Sequence, residues 1–309
     1  FLTRIQGEIA KRGISDVLRK GIKHGPASVD LFYGIASSEN LRAKELFEAN
    51  LFSVTRQLRY SRDEGQLALD LCIFINGLPI ATFELKNSLT KQTVYDAIEQ
   101  YKRDRNTNEL LIQFGRCVAH VAVDDQEVRF CTHLRGGDSW FLPFNKGWND
   151  GAGNPPNPSG IKTDYLWSDI LGRERLSEII ENYTQIITDK NEKTGKKRKT
   201  QIFPRYHQLD VVKKLLVDSN TNGAGQRYLI QHSAGSGKSN SIAWLANQLV
   251  GLAKAGRPIF DTVIVITDRK VLDRQIRDTI KHFAQVKAIL GHAEKSEDLR
   301  KFLSSGKKI

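Results

Sequence analysis

Three charged residues on two adjacent β-like segments have the types and spacing of a divalent-cation site. Asp70 lies in the run LALDLCIFI, and Glu84 and Lys86 end the run LPIATFELK. A charged side chain in an apolar strand is costly unless it is paired or binds a metal. Glu84 and Lys86 are two residues apart, so they project from one face of their strand. Two carboxylates and an ammonium can bind Mg²⁺ beside a phosphodiester and neutralise the charge that develops during its hydrolysis.

The same residues could instead form a salt bridge at the strand edge, between Lys86 and either carboxylate, and their spacing does not decide between the two. The Asn-Gly pair at 76–77 predicts a two-residue hairpin, because both residues tolerate positive φ. A regular hairpin of this kind places Asp70 opposite Phe83 and leaves Glu84 on the other side. A shared cation therefore requires a bulge or another irregularity between residues 70 and 84.

A second group of residues has the composition of a phosphate-binding loop. The stretch HSAGSGKS at 232–239 follows an apolar segment and precedes an amphipathic one. Small residues let backbone N–H groups converge on phosphate oxygens, and a helix N-terminus adds positive potential. The strict pattern has Gly where this chain has His232. The predicted nucleotide-binding residues are Gly235, Ser236, Gly237, Lys238 and Ser239, with Lys238 at the β- and γ-phosphates and Ser239 as a ligand of Mg²⁺.

Two further stretches fit a nucleotide-driven motor. FPRYHQLD at 203–210 places Gln208 thirty residues before Lys238, where helicase-type motor domains carry a glutamine that reads adenine. VIVITDRKVLDRQI resembles the first strand-contacting motif of superfamily 2 helicases. It places three polar residues just past a predicted strand, where ligands lie in such sheets: Asp268, Arg269 and Gln275. No acidic D-E-x-[DH] element and no second motor lobe follow, so we expect nucleotide binding with poor or no hydrolysis.

The elements that must position these residues follow from hydrophobic periodicity. A helix is predicted after Asn87 from the spacing of four residues: Val94, Ala97, Ile98 and Tyr101. The other predictions for the first half are strands at 54–60, 67–75, 78–86, 117–123 and 127–134, a loop at 144–160 and a helix at 173–187. Beyond it we predict helices at 207–218, 238–252 and 271–283 and strands at 227–231 and 262–267. This alternation is typical of a parallel α/β sheet.

Composition limits the class of protein. The 309 residues carry a formal charge of +12, which fits a polyanion partner such as double-stranded DNA, although many soluble proteins are equally basic. No apolar run reaches the ~18 residues of a membrane span, and no signal peptide is apparent. Three cysteines without metal-like spacing exclude a disulfide scaffold and favour a reducing, cytoplasmic location.

With both groups of residues identified, the chain resembles the restriction (R) subunit of type I restriction-modification enzymes. The resemblance rests on stretches along most of the chain: NGLPIATFELKN, YDAIEQYKRDR, WFLPFNKG, GAGNPP, FPRYHQLDVV, HSAGSGKS and VIVITDRKVLDRQI. It implies a restriction-endonuclease-like D…E-x-K nuclease domain with a mixed sheet flanked by helices, over residues 1–188. A basic linker at 189–203 and a partial RecA-like parallel α/β motor lobe at 204–309 would follow.

The resemblance also implies roles for individual residues. Asp70, Glu84 and Lys86 would cleave DNA with Mg²⁺, and Lys238, Ser239 and Gln208 would bind ATP. The family adds a Gln-x3-Tyr element on the helix after E-x-K, and this chain matches it imperfectly, with Gln100 followed directly by Tyr101.

In this family the R subunit joins methylation and specificity subunits, moves DNA with ATP and cuts it away from the recognised site, so sequence-nonspecific DNA contacts are expected. Two other readings remain open: a helicase–nuclease of another defence system, and a non-catalytic DNA-binding adaptor.

Overall fold

The computed structural model describes residues 1–306 apart from 36–39, 62, 64, 191–194, 196, 269–275, 278, 281–290 and 294. It divides the chain into two compact units, Phe1–Arg205 and Tyr206–Ile309. The elements of the first unit, in chain order, are α1 (Leu2–Arg12), α2 (Ile14–Lys20), β1 (Ile22–His24), β2 (Ala27–Val29), α3 (Leu41–Glu48), β3 (Phe52–Arg59), β4 (Ala68–Ile75), β5 (Leu78–Leu85), α4 (Val94–Arg103), β6 (Ala119–Val123), β7 (Val128–Cys131), β8 (Leu142–Pro143), α5 (Arg173–Asn182), β9 (Gln185–Lys190) and β10 (Lys197–Ile202).

A six-stranded mixed sheet with strand order β3-β4-β5-β6-β7-β8 forms the centre of the first unit. Its neighbouring strands are antiparallel except β5 and β6, which are parallel. A parallel pair needs a crossover connection, and α4 lies in that connection. The mixed sheet flanked by helices that the sequence predicted is therefore confirmed, as are the predicted hairpin and the helix after Asn87.

Apolar side chains cover both faces of this sheet. On one face α4 packs through its buried residues, spaced three and four apart as predicted: Val94, Ala97, Ile98 and Tyr101. On the other face α1, α2 and α5 pack against Ile75 and Ile80 of the hairpin. The site residues at the ends of β4 and β5 are thus held between two packed layers.

The basic segment after α5 differs from the prediction. Helix α5 ends at Asn182, and β9 pairs with β10 in an antiparallel hairpin that starts within the predicted helix 173–187 and uses part of the predicted linker 189–203. Gln201 anchors β10, because its buried amide donates to the carbonyl oxygens of Cys117 and Val118 at 2.7 and 2.6 Å. Charge composition predicted the linker but does not exclude a strand whose alternate residues face the core.

In its described residues the second unit contains fewer regular elements than predicted. They are α6 (Tyr206–Asn222), α7 (Lys238–Val250), β11 (Ala253–Lys254), β12 (Arg257–Pro258) and α8 (Ser296–Ser304). The first two confirm the helices predicted at 207–218 and 238–252, whereas most of the predicted helix 271–283 falls outside the described residues.

The strands predicted at 227–231 and 262–267 do not form, although all of these residues are described. Leu229 is 94% exposed and Ile266 is 89% exposed. Parallel strands require cover on both faces, and these two segments leave their apolar side chains uncovered. The predicted parallel sheet of the motor lobe is therefore not seen.

Two further predictions concern the environment of the chain. No described helix is both long and apolar enough to cross a membrane. All three cysteines, Cys72, Cys117 and Cys131, are buried and free.

Candidate active site

A register shift in the β4–β5 hairpin aligns the two candidate cation ligands. Next to the turn, Ile75 pairs with Leu78 in regular two-residue register, and the register then changes between Ile73 and Phe74. Beyond the shift Leu71 pairs with Phe83, and a continuation of this register would place Asp70 opposite Glu84, whose carboxyl group feels the charge of Asp70. The irregularity predicted between residues 70 and 84 is confirmed, because one inserted residue re-aims every later side chain.

Asp70 is held by hydrogen bonds from both neighbouring strands. Its Oδ2 accepts from the backbone N–H of Leu85 at 2.8 Å, and its Oδ1 accepts from the Gln57 side chain at 3.2 Å. Gln57 lies on β3 with φ of 49°, in the left-handed region that non-glycine residues rarely adopt. The backbone of β3 is therefore kinked at Gln57, the residue whose side-chain amide bonds to the Asp70 carboxylate.

Glu84 is completely buried, with an exposed fraction of 0%, and has two differently occupied oxygens. Its Oε1 accepts from Arg105 through Nε at 2.7 Å and the terminal nitrogen at 2.6 Å. The same guanidinium donates to the carbonyl oxygen of Ala68 at 2.9 Å, which ties it to the start of β4. The other oxygen, Oε2, is buried with no hydrogen-bond donor within reach. A buried acceptor without a donor marks a place where a proton or a cation belongs.

Burial, with a smaller contribution from the neighbouring charge of Asp70, raises the pKa of Glu84 to about 8. Arg105 opposes this shift by stabilising the ionised form. The pair therefore competes for positive charge, which is the behaviour expected of groups that share a proton or a cation.

Lys86 lies at the end of β5 and contacts helix α4 rather than either carboxylate. Its ammonium donates to Oε1 of Gln100 at 2.7 Å, and its backbone N–H donates to Val123. Hydrogen bonds from Thr93 lower the pKa of Asp96, one turn before Gln100 on α4, and the charge of Lys86 adds a smaller lowering. The salt bridge considered from the sequence, between Lys86 and Glu84 or Asp70, is not formed; the partner of Glu84 is Arg105.

These residues fit a divalent cation of the magnesium type. Mg²⁺ usually takes one or two carboxylates and keeps several waters, and Asp70 with Oε2 of Glu84 offers that donor set. Among the described residues no group of three or more His, Cys, Asp or Glu side chains could hold a metal.

The loop of the second unit has the backbone of a phosphate cradle. Gly235 and Gly237 have φ of 73° and 83°, and α7 begins directly after Gly237. The exposed Lys238 ammonium donates to the carbonyl oxygens of His232 and Ser233, both at 2.9 Å. Ser236, before Gly237, is buried, and Ser239, after Lys238, is half-buried. The predicted loop residues are therefore consecutive at a helix N-terminus, where an anion is favoured.

Gln208 contacts the loop backbone instead of an open space for a base. Its buried amide donates to the carbonyl oxygen of Gly237 at 2.9 Å, and a Cβ on residue 237 would lie 2.5 Å from that amide nitrogen. His207 approaches the Ser236 carbonyl at 3.2 Å and stacks edge-on with His232. His207 and Gln208, at the start of α6, thus contact the backbone of the glycine loop. Of the three polar residues predicted after the second strand, Arg269 and Gln275 lie outside the described residues.

Sequence reasoning missed Arg105 and Gln57, which complete the first site. Arg105 belongs to YKRDR, whose charges read as an exposed helix end, and only the long-range approach of β5 shows that one of them is buried. No sequence motif marked Gln57.

A chain of buried hydrogen bonds joins α4 to β5 and β6. The Tyr101 hydroxyl lies 2.9 Å from the Thr82 hydroxyl, which lies 2.8 Å from Nδ1 of His120. This chain of hydrogen bonds fixes α4 against β5 behind Glu84.

Comparison with protein families places both sites in known domains. Residues 31–139 match the type I restriction enzyme R protein N terminus, and residues 207–309 match the SWI2/SNF2 ATPase family. The first match contains Asp70, Glu84 and Lys86, and the second contains the glycine loop.

Curated relatives are described as type I restriction enzyme endonuclease subunits. A putative type I restriction enzyme MjaVIIIP endonuclease subunit from Methanocaldococcus jannaschii is 29% identical over 243 residues, which is 75% of this chain and 21% of the relative. The MjaIXP endonuclease subunit of that organism is 25% identical over 87% of this chain and 25% of its own length. The type I restriction enzyme HindI endonuclease subunit of Haemophilus influenzae is 26% identical over 82% of this chain and 24% of its own length. The chain thus spans about a quarter or less of these relatives, and its resemblance to R subunits is confirmed.

Proposed function

We propose that this chain, whose residues 31–139 belong to the N-terminal family of type I restriction enzyme R proteins, is the nuclease domain and the start of the motor of such a subunit. The proposed reaction is Mg²⁺-dependent hydrolysis of double-stranded DNA without sequence preference. The observation that carries the proposal is the hairpin irregularity that aligns Asp70 with Glu84 and leaves one buried Glu84 oxygen without a donor.

Each residue of the site has a definite task in this proposal. Asp70 and Oε2 of Glu84 would hold the cation, which supplies an activated water and neutralises charge on the phosphate. Arg105 keeps the other Glu84 oxygen occupied, so only one remains for the cation. Lys86, two residues after Glu84 on the same strand, would stabilise the negative charge that builds on the phosphate. Gln100 orients that ammonium through its hydrogen bond.

The second unit would bind ATP and couple it to DNA translocation in the complete subunit. The positive φ angles, the helix that starts after Gly237 and the exposed Lys238 support the binding of phosphates at Gly235–Ser239. In the complete enzyme the subunit would associate with methylation and specificity subunits and cut unmodified DNA away from the recognised site.

Loss of Lys86 tests the nuclease proposal. We expect Mg²⁺-dependent cutting of plasmid DNA by the chain to disappear in Lys86→Ala, whereas its affinity for DNA in EDTA falls by no more than one phosphate contact. Lys44→Ala, on the surface of α3, is the matched control. In parallel, the rise in Tm on adding Mg²⁺ should vanish in Asp70→Asn. Wild-type cutting by Lys86→Ala, or an absence of any Mg²⁺-dependent cutting by the wild type, would favour the DNA-binding adaptor.

A further inference from the structure

The loop that joins the candidate catalytic Lys86 to α4 presents an apolar side chain to solvent. This 87–93 loop consists of exposed residues and contains a single 3-10 turn, Ser88–Thr90. Leu89, in the middle of the turn, is 94% exposed, more than any other large apolar side chain in the described part of the first unit. An isolated exposed leucine needs no explanation, but this one lies on an ordered loop next to the candidate active site.

Hydrogen bonds inside the 87–93 loop fix its shape. Oδ1 of Asn87 accepts from the backbone N–H of Thr90 at 3.0 Å, and the Thr90 hydroxyl donates to the carbonyl oxygen of Asn87 at 3.0 Å. Lys91 closes the turn in the left-handed region, with φ of 57°, and its N–H donates to the carbonyl oxygen of Ser88 at 3.0 Å. None of these bonds involves the Leu89 side chain, so the turn does not need an apolar residue at this position.

The turn after β6 anchors both ends of the loop. At the start, the Ser88 hydroxyl donates to Oδ2 of Asp125 at 2.6 Å. At the end, the backbone N–H of Val94 donates to Oδ2 of the buried Asp124 at 2.7 Å. These two carboxylates are thus occupied by donors at the ends of the loop. The loop is ordered before any ligand arrives, which lowers the entropy cost of binding through its side chains.

The charge and position of the loop suit a polyanion bound at the candidate active site. The segment 86–93 reads KNSLTKQT, with two lysines and no acidic residue. Three residues span at most ~11 Å of chain, so the backbone at Leu89 lies within that distance of the backbone at Lys86. One turn of duplex DNA is ~34 Å long. A duplex whose phosphate lies at Lys86 is therefore long enough to reach the exposed Leu89 and Lys91.

We propose that Leu89 enters the minor groove of duplex DNA bound at the Asp70–Glu84–Lys86 site and partly unstacks a base step, while Lys91 contacts a backbone phosphate. Leucine is one of the apolar side chains that proteins insert between base pairs from the minor groove. It has no donor or acceptor with which to read base edges, which agrees with cutting without sequence preference. The inference rests on the proposed nuclease function and adds two residues that hold the substrate.

A short duplex with 2-aminopurine at its central positions tests Leu89, because the fluorescence of this base rises when it is unstacked. In EDTA, we expect saturating wild-type chain to raise the fluorescence and Leu89→Ser to lose most of that rise, with a Kd about threefold higher. The salt dependence of its Kd should stay unchanged, since no charge is lost. Leu41→Ser, 75% exposed on α3, is the matched control and should behave as the wild type.

Lys91→Gln tests the phosphate contact with the same duplex. We expect the slope of log K against log salt to become shallower by ~0.9, the value for one lost phosphate contact. The fluorescence rise at saturation should be kept, because Leu89 is still present. Lys44→Gln, on the surface of α3 with the same change in charge, should keep the wild-type slope. Circular dichroism and Tm check that all variants fold.

The outcomes separate this inference from the nuclease proposal. A folded Leu89→Ser variant with the full fluorescence rise overturns it, as does a wild type that binds no duplex or leaves the bases stacked. A wild-type salt slope in Lys91→Gln overturns the phosphate contact. Cutting of DNA with Mg²⁺ by the wild type would leave the nuclease proposal intact in each of these cases except the loss of all binding. If the rise depends on Leu89 but the wild type cuts no DNA with Mg²⁺, the inference is supported and the nuclease proposal fails.

Discussion

The two candidate sites of this chain differ in how their polar groups are satisfied. At the first site Glu84 is fully buried, and one of its oxygens has no donor. At the second site the Lys238 ammonium is exposed and bonded to carbonyl groups of its own loop. The first site therefore stores an unfavourable arrangement that a cation would relieve, whereas the second must give up hydrogen bonds when phosphate binds. Sites of the first kind are coupled to the stability of the fold, and sites of the second kind are coupled to loop conformation.

The largest expected effect is on the buried Glu84–Arg105 pair. Arg105→Met removes the cation paired with the buried Glu84, so we expect the free energy of unfolding to fall by about 3–5 kcal/mol. Urea denaturation measures the change, and Arg103→Met, at the exposed C-terminal end of α4, should change stability by less than ~0.5 kcal/mol. Combining Arg105→Met with Glu84→Gln should recover part of the loss. A single variant as stable as the wild type would show that Glu84 is protonated or solvated without Arg105.

The same pair shows where sequence reasoning reached its limit. The acidic residues, the lysine and the need for a hairpin irregularity followed from local pattern, since residues on one strand have fixed faces. Arg105 lies 21 residues from Glu84, and no local rule predicts that a charge at a helix end turns inward. In the second unit, the helices predicted at 207–218 and 238–252 are confirmed as α6 and α7. The strands around Leu229 and Ile266 did not form, because a strand is stable only with neighbours that the pattern cannot supply.

Acid should weaken the first unit through its buried histidine. Burial, with a smaller contribution from the charge of His133, lowers the pKa of His120 to about 3. Below pH ~6.5 the unfolded chain therefore binds a proton that the folded chain does not, and stability falls by about 1.4 kcal/mol per pH unit until pH approaches 3.

His120→Gln removes this term and keeps a polar group near Thr82. We expect the variant to be less stable than the wild type at pH 7 and to lose that deficit progressively between pH 6 and pH 4, in urea denaturation at each pH. A constant difference between the two proteins over that range would contradict a neutral, buried imidazole.

Loss of Gln208 should weaken nucleotide binding at the second site by a smaller amount. Which nucleotides bind more weakly distinguishes two roles for its side chain. If the amide mainly holds the Gly237 carbonyl, Gln208→Ala weakens fluorescent ATP and GTP analogues equally, by about fivefold for one hydrogen bond of ~1 kcal/mol. If it reads adenine, only ATP binding weakens. Gly237→Ala is the companion variant, because its Cβ would displace the same amide and strain a residue at φ of 83°.

The smallest effect is expected at the kink in β3, where strain and a hydrogen bond oppose each other. Gln57→Gly removes the bond to Asp70 but relieves a φ of 49°, whereas Gln57→Ala removes the bond and keeps the strain. We therefore expect Gln57→Ala to be less stable than Gln57→Gly by up to ~1 kcal/mol, against the usual preference for Ala over Gly in a strand. Both variants should bind Mg²⁺ within about threefold of the wild type, since Leu85 still orients Asp70. If Gln57→Ala is the more stable, the backbone at Gln57 relaxes readily, and the kink does not position the carboxylate.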